Sequence, residues 1–115
     1  MSNPTEHKIS CKLWLEYEGK PLIGKGGAQI LEQIEKEQSI SKAAKKLGMS
    51  YRYVWSYLKR IEKTLGKPIV ETYRGGKNGG GGAKLTLLGS KLLEEYKCAE
   101  ANLHAKLAVM DTVKR

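Results

Sequence analysis

The sequence predicts an α+β domain that is mainly helical. A strand or hairpin opens it, two short strands joined by a glycine-rich loop stand past its middle, and a long helix closes it. Three observations predict this. Apolar and polar residues alternate over residues 8–18, the period of a half-buried strand. From residue 28 to 65, and again from 88 to 110, apolar residues recur at threes and fours, the period of a helix. The run Arg74–Lys84 holds six of the thirteen glycines and almost nothing apolar, so it is a loop. With 115 residues, the chain (1–115) reads as one domain. It has no Phe, and six Tyr, two Trp and the Leu and Ile residues supply its core.

In the first segment Ile9, Cys11, Leu13, Leu15 and Tyr17 fall on one face. Lys8, Ser10, Lys12, Glu16 and Glu18 fall on the other, joined by Trp14, which covers a neighbouring element or meets a subunit. Glu18-Gly19-Lys20-Pro21 has turn chemistry, so Pro21-Leu22-Ile23 is expected to pair back as a second strand. Ala28, Ile30, Leu31 and Ile34 then form a helical stripe. Gly24, Gly26 and Gly27 invite a phosphate-loop reading, but that loop needs Lys followed by Ser or Thr, and Lys25 is followed by Gly.

Ile40, Ala43, Ala44 and Leu47 line a short helix, capped by Ser39 or Ser41 and closed by Gly48. Ser50 caps a second helix, about residues 50–65, whose stripe is Val54, Leu58, Ile61 and Leu65. A short helix, a glycine turn and a second helix make a helix-turn-helix. Arg52, Ser56, Lys59 and Lys63 point away from the Val54 stripe, with Trp55 and Arg60 on its flanks. This polar, basic face is what a helix entering a major groove requires. Ile69, Val70 and Tyr73 then mark one strand, and Leu85 and Leu87 another, so residues 69–87 are expected to form a wing. Its glycine tip can lie close against a sugar-phosphate backbone while Arg74, Lys77 and Lys84 supply charge. A slack linker is at odds with strands that need each other. A nucleotide cradle is at odds with glycines that no helix N-terminus follows directly.

Charge placement agrees. The net charge is +9, and residues 42–84 hold eleven Lys and Arg against Glu62 and Glu71 alone. The remaining ten basic and ten acidic residues balance. Such segregation is the footprint of a polyanion partner, here double-stranded DNA, against the plainer alternative of a lysine-rich surface.

The run SISKAAKKLGMSYRYVWSYLKRIE followed by GGKNGGGGAKLT resembles the DNA-binding half of the ModE family of molybdate-responsive regulators, a winged helix-turn-helix of LysR type. The resemblance covers roughly residues 9–108. It implies that Ser50, Tyr51, Arg52, Trp55, Ser56 and Lys59 face the major groove, with Arg74 and Lys77 on the supporting wing. Asn78 departs from the pattern as an extra residue ahead of the four glycines. Oxyanion sensing in that family belongs to additional C-terminal domains, and the sequence ends before one begins, so this chain alone is expected to bind no oxyanion effector.

In the last helix, about residues 87–112, Thr86 is the expected cap. Leu88, Leu92, Tyr96, Ala99, Leu103, Leu107 and Met110 make a stripe longer than one small domain covers. The first half suits the chain's own core. Tyr96, Ala99, Leu103, Leu107 and Met110 are the expected homodimer interface, the contact beyond Ala99 above all. Cys11 and Cys98 have no metal-ligand spacing with His7 or His104 and read as small hydrophobes in a reducing compartment. No apolar run has the length of a membrane span and no signal peptide opens the chain, so a cytoplasmic location is expected, with no membrane partner. No catalytic cluster, metal site or cofactor is expected. A dimeric, sequence-specific regulator of transcription follows. A weakly specific architectural DNA-binding protein, a protein-recruiting accessory module and a nucleotide-holding enzyme are the alternatives.

Overall fold

The structure is a computed structural model, and it describes residues 3–74 and 81–114. Helix α1 forms on its apolar spacing alone, whereas in α2 and α3 spacing and caps agree. Helix α1 (Lys25–Glu37) buries Gly27, Ala28, Ile30, Leu31 and Ile34 and ends at Gln38 in the left-handed region. Helix α2 (Ile40–Leu47) starts at Ser39, whose Oγ accepts from the Lys42 N–H at 3.1 Å; Ser39, not Ser41, is the cap. It stops at Gly48, where φ is +68°, a conformation glycine adopts without a Cβ clash. Helix α3 (Tyr51–Leu65) starts at Ser50, whose Oγ accepts from the Tyr53 N–H at 3.0 Å, and buries Val54, Leu58 and Ile61.

The wing is an antiparallel pair, β3 (Val70–Tyr73) and β4 (Gly82–Leu85), with Val70 opposite Leu85 and Tyr73 opposite Gly82. The Ala83 N–H bonds the Gln38 carbonyl at 3.0 Å, tying β4 to the α1–α2 turn. Leu87 is not a strand residue. It begins helix α4 (Leu87–Lys114) and is 82% exposed. Thr86 caps α4 as expected: its Oγ1 accepts from the Gly89 N–H at 3.1 Å and donates to the Pro68 carbonyl at 2.9 Å. Gly89 is needed there, because a Cβ would collide with the Ile69 carbonyl oxygen. Ile69 itself lies just ahead of β3 and is fully buried, whereas Tyr73 is 45% exposed.

The core joins α1, α2, α3, the wing and the first half of α4. Ile23, Ile30, Leu31, Ile34, Val54, Ile61 and Ile69 are its largest fully buried side chains. Leu92, Leu93 and Tyr96 carry α4 into it, and Lys97 reaches Glu32 of α1 at 3.1 Å. Tyr96, expected at the subunit contact, is 3% exposed and packs in the chain's own core.

The N-terminal segment departs most from expectation. Only Glu16–Tyr17 (β1) and Lys20–Pro21 (β2) form strands, not Pro21–Ile23. Two further backbone bonds, Leu15 N–H to Ile23 and Leu22 N–H to Leu15, continue the pairing inward. Leu13 and Leu15 pack on the core, but Tyr17 and Cys11 are exposed. Among the described residues, those from 3 to 12 form no strand. They run beside α4 instead, where the Ile9 N–H bonds the Asp111 carboxylate at 3.3 Å. Both cysteines are exposed and neither is a core hydrophobe. Among the described residues, no helix is long and apolar enough to cross a membrane.

Candidate nucleic-acid interface

Because Val54, Leu58 and Ile61 anchor one face of α3, the opposite face must look outward. Arg52, Ser56, Lys59, Arg60 and Lys63 are all exposed on it and its flanks, as are Ser50, Tyr51 and Trp55. On the wing Arg74 and Lys84 are exposed, and Lys84 stands opposite Glu71 across the ladder. Lys77 lies outside the described residues. The helix start and the wing enclose a cleft of about 290 Å³ lined by Ser39, Ser41, Tyr51, Thr72, Tyr73 and Gly82, among others.

Not every polar group on this face is free to meet a partner. The Ser50 hydroxyl is engaged as the α3 cap. Lys59 lies 4.3 Å over the Trp55 ring and pairs with Glu62 at 3.2 Å. Arg60 lies 5.0 Å over the Tyr57 ring. Tyr57 is half-buried, and loss of hydration raises its hydroxyl pKa; the charge of Arg60 and the Gly24 backbone oppose the rise. Arg52, Ser56 and Lys63 face outward with no such tether described.

Two contributions were not visible in the sequence. Glu62 Oε2 accepts from the Ile69 N–H at 2.8 Å and the Val70 N–H at 3.2 Å, so one carboxylate docks the root of the wing on α3. Helix α2 adds a second exposed basic row, Lys42, Lys45 and Lys46. These lysines were counted in the basic segment, but only the fold sets them on the element that precedes the turn. Among the described residues, no group of three or more His, Cys, Asp or Glu side chains is arranged to hold a metal.

Residues 27–90, more than half of the chain, match the family described as bacterial regulatory helix-turn-helix protein, lysR family. The chain belongs to that family. Its curated relatives include the molybdenum-pterin-binding protein MopA of Rhodobacter capsulatus, 29% identical over 106 residues. The match covers 92% of this chain and 40% of MopA. The transcriptional regulator ModE of Haemophilus influenzae is 39% identical over 72 residues, covering 63% of this chain and 28% of ModE. The chain thus spans well under half the length of these relatives, and the resemblance to ModE-type regulators read from the motif is upheld. Among solved structures, the DNA-binding domain of CbnR in complex with DNA superimposes with a TM-score of 0.59 at 19% identity, covering 78% of this chain and 97% of that one. The BenM DNA-binding domain bound to a catB site gives 0.56 at 20% identity, covering 76% and 91%. These likenesses establish the winged helix-turn-helix fold of the LysR-type chain.

Proposed function

We propose that this chain binds duplex DNA sequence-specifically, as a dimer, and regulates transcription. One observation carries most weight: α3 buries a clean apolar stripe and leaves Arg52, Ser56 and Lys63 untethered on its outward face, beside a basic wing. Arg52 supplies a fork that fits a guanine edge, and Ser56 a hydroxyl for either base type. Lys63, Arg60, Arg74, Lys77 and Lys84 meet phosphates, which position the protein without reading sequence. The dimer forms through the far half of α4, where Ala99, Leu103 and Leu107 are partly exposed and Met110 is 51% exposed. Two copies joined there present their α3 helices to half-sites about 34 Å apart, or a multiple of it. A chromosomal partner puts the protein in the cytoplasm, and no enzymatic step belongs to this function.

Selection of bound duplexes from a random pool, followed by titration against scrambled duplex at one salt concentration, tests the proposal. A preference of about a thousandfold or more is expected for a specific regulator. A ratio near one would favour the architectural alternative, for which the extra lysine row on α2 speaks.

A further inference from the structure

Helix α3 exposes aromatic rings that the core does not use. Tyr51 is 49% exposed and Trp55 37%. They occupy its first two turns, the part that a helix in the major groove brings to base edges. Their rings stack, with centroids 6.3 Å apart and planes inclined by 11°. One turn further on, the Lys59 ammonium lies over the Trp55 ring and is held by Glu62, which the wing backbone itself anchors. A continuous chain of contacts therefore runs from wing to aromatic pair. It leaves Lys59 as a strut for the rings more than as a ligand for phosphate.

We propose that Tyr51 and Trp55 form a preorganised apolar surface that reads the 5-methyl group of thymine. The proposal rests on α3 being the DNA-reading helix. In the major groove the four base pairs differ in donors and acceptors, and thymine alone adds a methyl group. A ring face or edge cannot match a donor–acceptor pair, but it removes that methyl from water. The stack and its strut also limit the rotamer freedom lost on binding, which would otherwise weaken a contact this small.

The test uses the whole chain and a duplex selected from a random pool, with each dT replaced in turn by dU. That exchange deletes the methyl and keeps the pairing. At one or two positions per half-site, affinity should fall about fourfold, the equivalent of about 0.8 kcal/mol for one buried methyl. Trp55→Ala and Tyr51→Ala should each reduce that sensitivity, so that dT and dU duplexes bind more nearly alike at the affected positions. Equal binding of all dU duplexes by the unaltered chain would overturn the proposal. So would variants that weaken binding yet keep the full dU effect, which would put the rings on the sugar-phosphate backbone. If no duplex is enriched over the random pool, the reading of sequence by α3 falls as well, a result distinct from enrichment without methyl dependence.

Discussion

Removing the Glu62 carboxylate should loosen the wing from α3, and the size of the effect follows from what it bonds. Ile69 is fully buried and its N–H donates to Glu62 at 2.8 Å. Leaving a buried donor unpaired costs about 1–3 kcal/mol. The Val70 N–H, at 3.2 Å, belongs to a half-buried residue that water can reach, so its loss adds a smaller amount. The pair with Lys59 is half exposed on the lysine side and contributes at most about 1 kcal/mol. Together Glu62→Ala should lose about 2–4 kcal/mol, lowering the melting temperature by roughly 8–16 °C for a domain of this size. Glu62→Gln keeps an oxygen that can accept both N–H groups and should lose less than about 1 kcal/mol. Urea unfolding followed by circular dichroism measures both. Glu62→Ala within about 0.5 kcal/mol of the unaltered chain would show that the wing root needs no docking. Equal losses in the two variants would show that the charge matters and the acceptor geometry does not.

Four further outcomes are expected. Arg52→Ala should lose about 1–3 kcal/mol of binding and relax preference at one base pair per half-site, read from a panel of single-substituted duplexes; uniform weakening would make Arg52 a phosphate contact. Replacing Leu103 and Leu107 together with Glu should give folded monomers by sedimentation, since neither belongs to the buried core. Lys77→Ala should weaken all duplexes alike and lower the salt slope by about one unit, checked by titration at several salt concentrations. Burial raises the hydroxyl pKa of Tyr57, and of Tyr96, above 10.0. Groups raised on folding stabilise fully below their ordinary value, and that stability is lost as pH rises through the folded value; melting temperature should therefore fall above about pH 10, while ultraviolet titration shows late-ionising tyrosines.

Helices α2 and α3 were legible because two independent signals coincide in each. In α2 and α3 the apolar spacing gives the face, and Ser39, Ser50, Gly48 and Gly66 give the ends. In the N-terminal segment and at Leu87, where only one signal exists, the fold departs from the pattern. Alternation over residues 8–18 shows that one face is apolar but not what lies against it, and most of that segment leans on a helix instead of pairing with a strand. Leu87 satisfies a period-two pattern with Leu85, yet Thr86 bonds back to Pro68 and caps α4, so Leu87 is the first residue of the helix and not the last of the strand. The α4 stripe carries no mark where the chain's own core stops. Tyr96 falls inside that limit and Leu103 outside it.

The candidate site divides along the same line. Which α3 residues look outward follows from Val54, Leu58 and Ile61, because a helix with one face fixed has its other faces fixed too. Which outward residues are free does not follow, because that depends on groups brought in from other elements. Glu62 stands three residues from Lys59, so an ion pair is readable from spacing alone. Its bonds to Ile69 and Val70 need the chain to reverse at Gly66 and Pro68, and no local pattern encodes them. Those bonds change what the basic face is. Lys59, expected at the DNA, also braces an aromatic ring, while Arg52, Lys63 and the lysine row of α2 stand exposed without such a contact. An acid within a basic helix thus decides which of its neighbours stands untethered on the outward face.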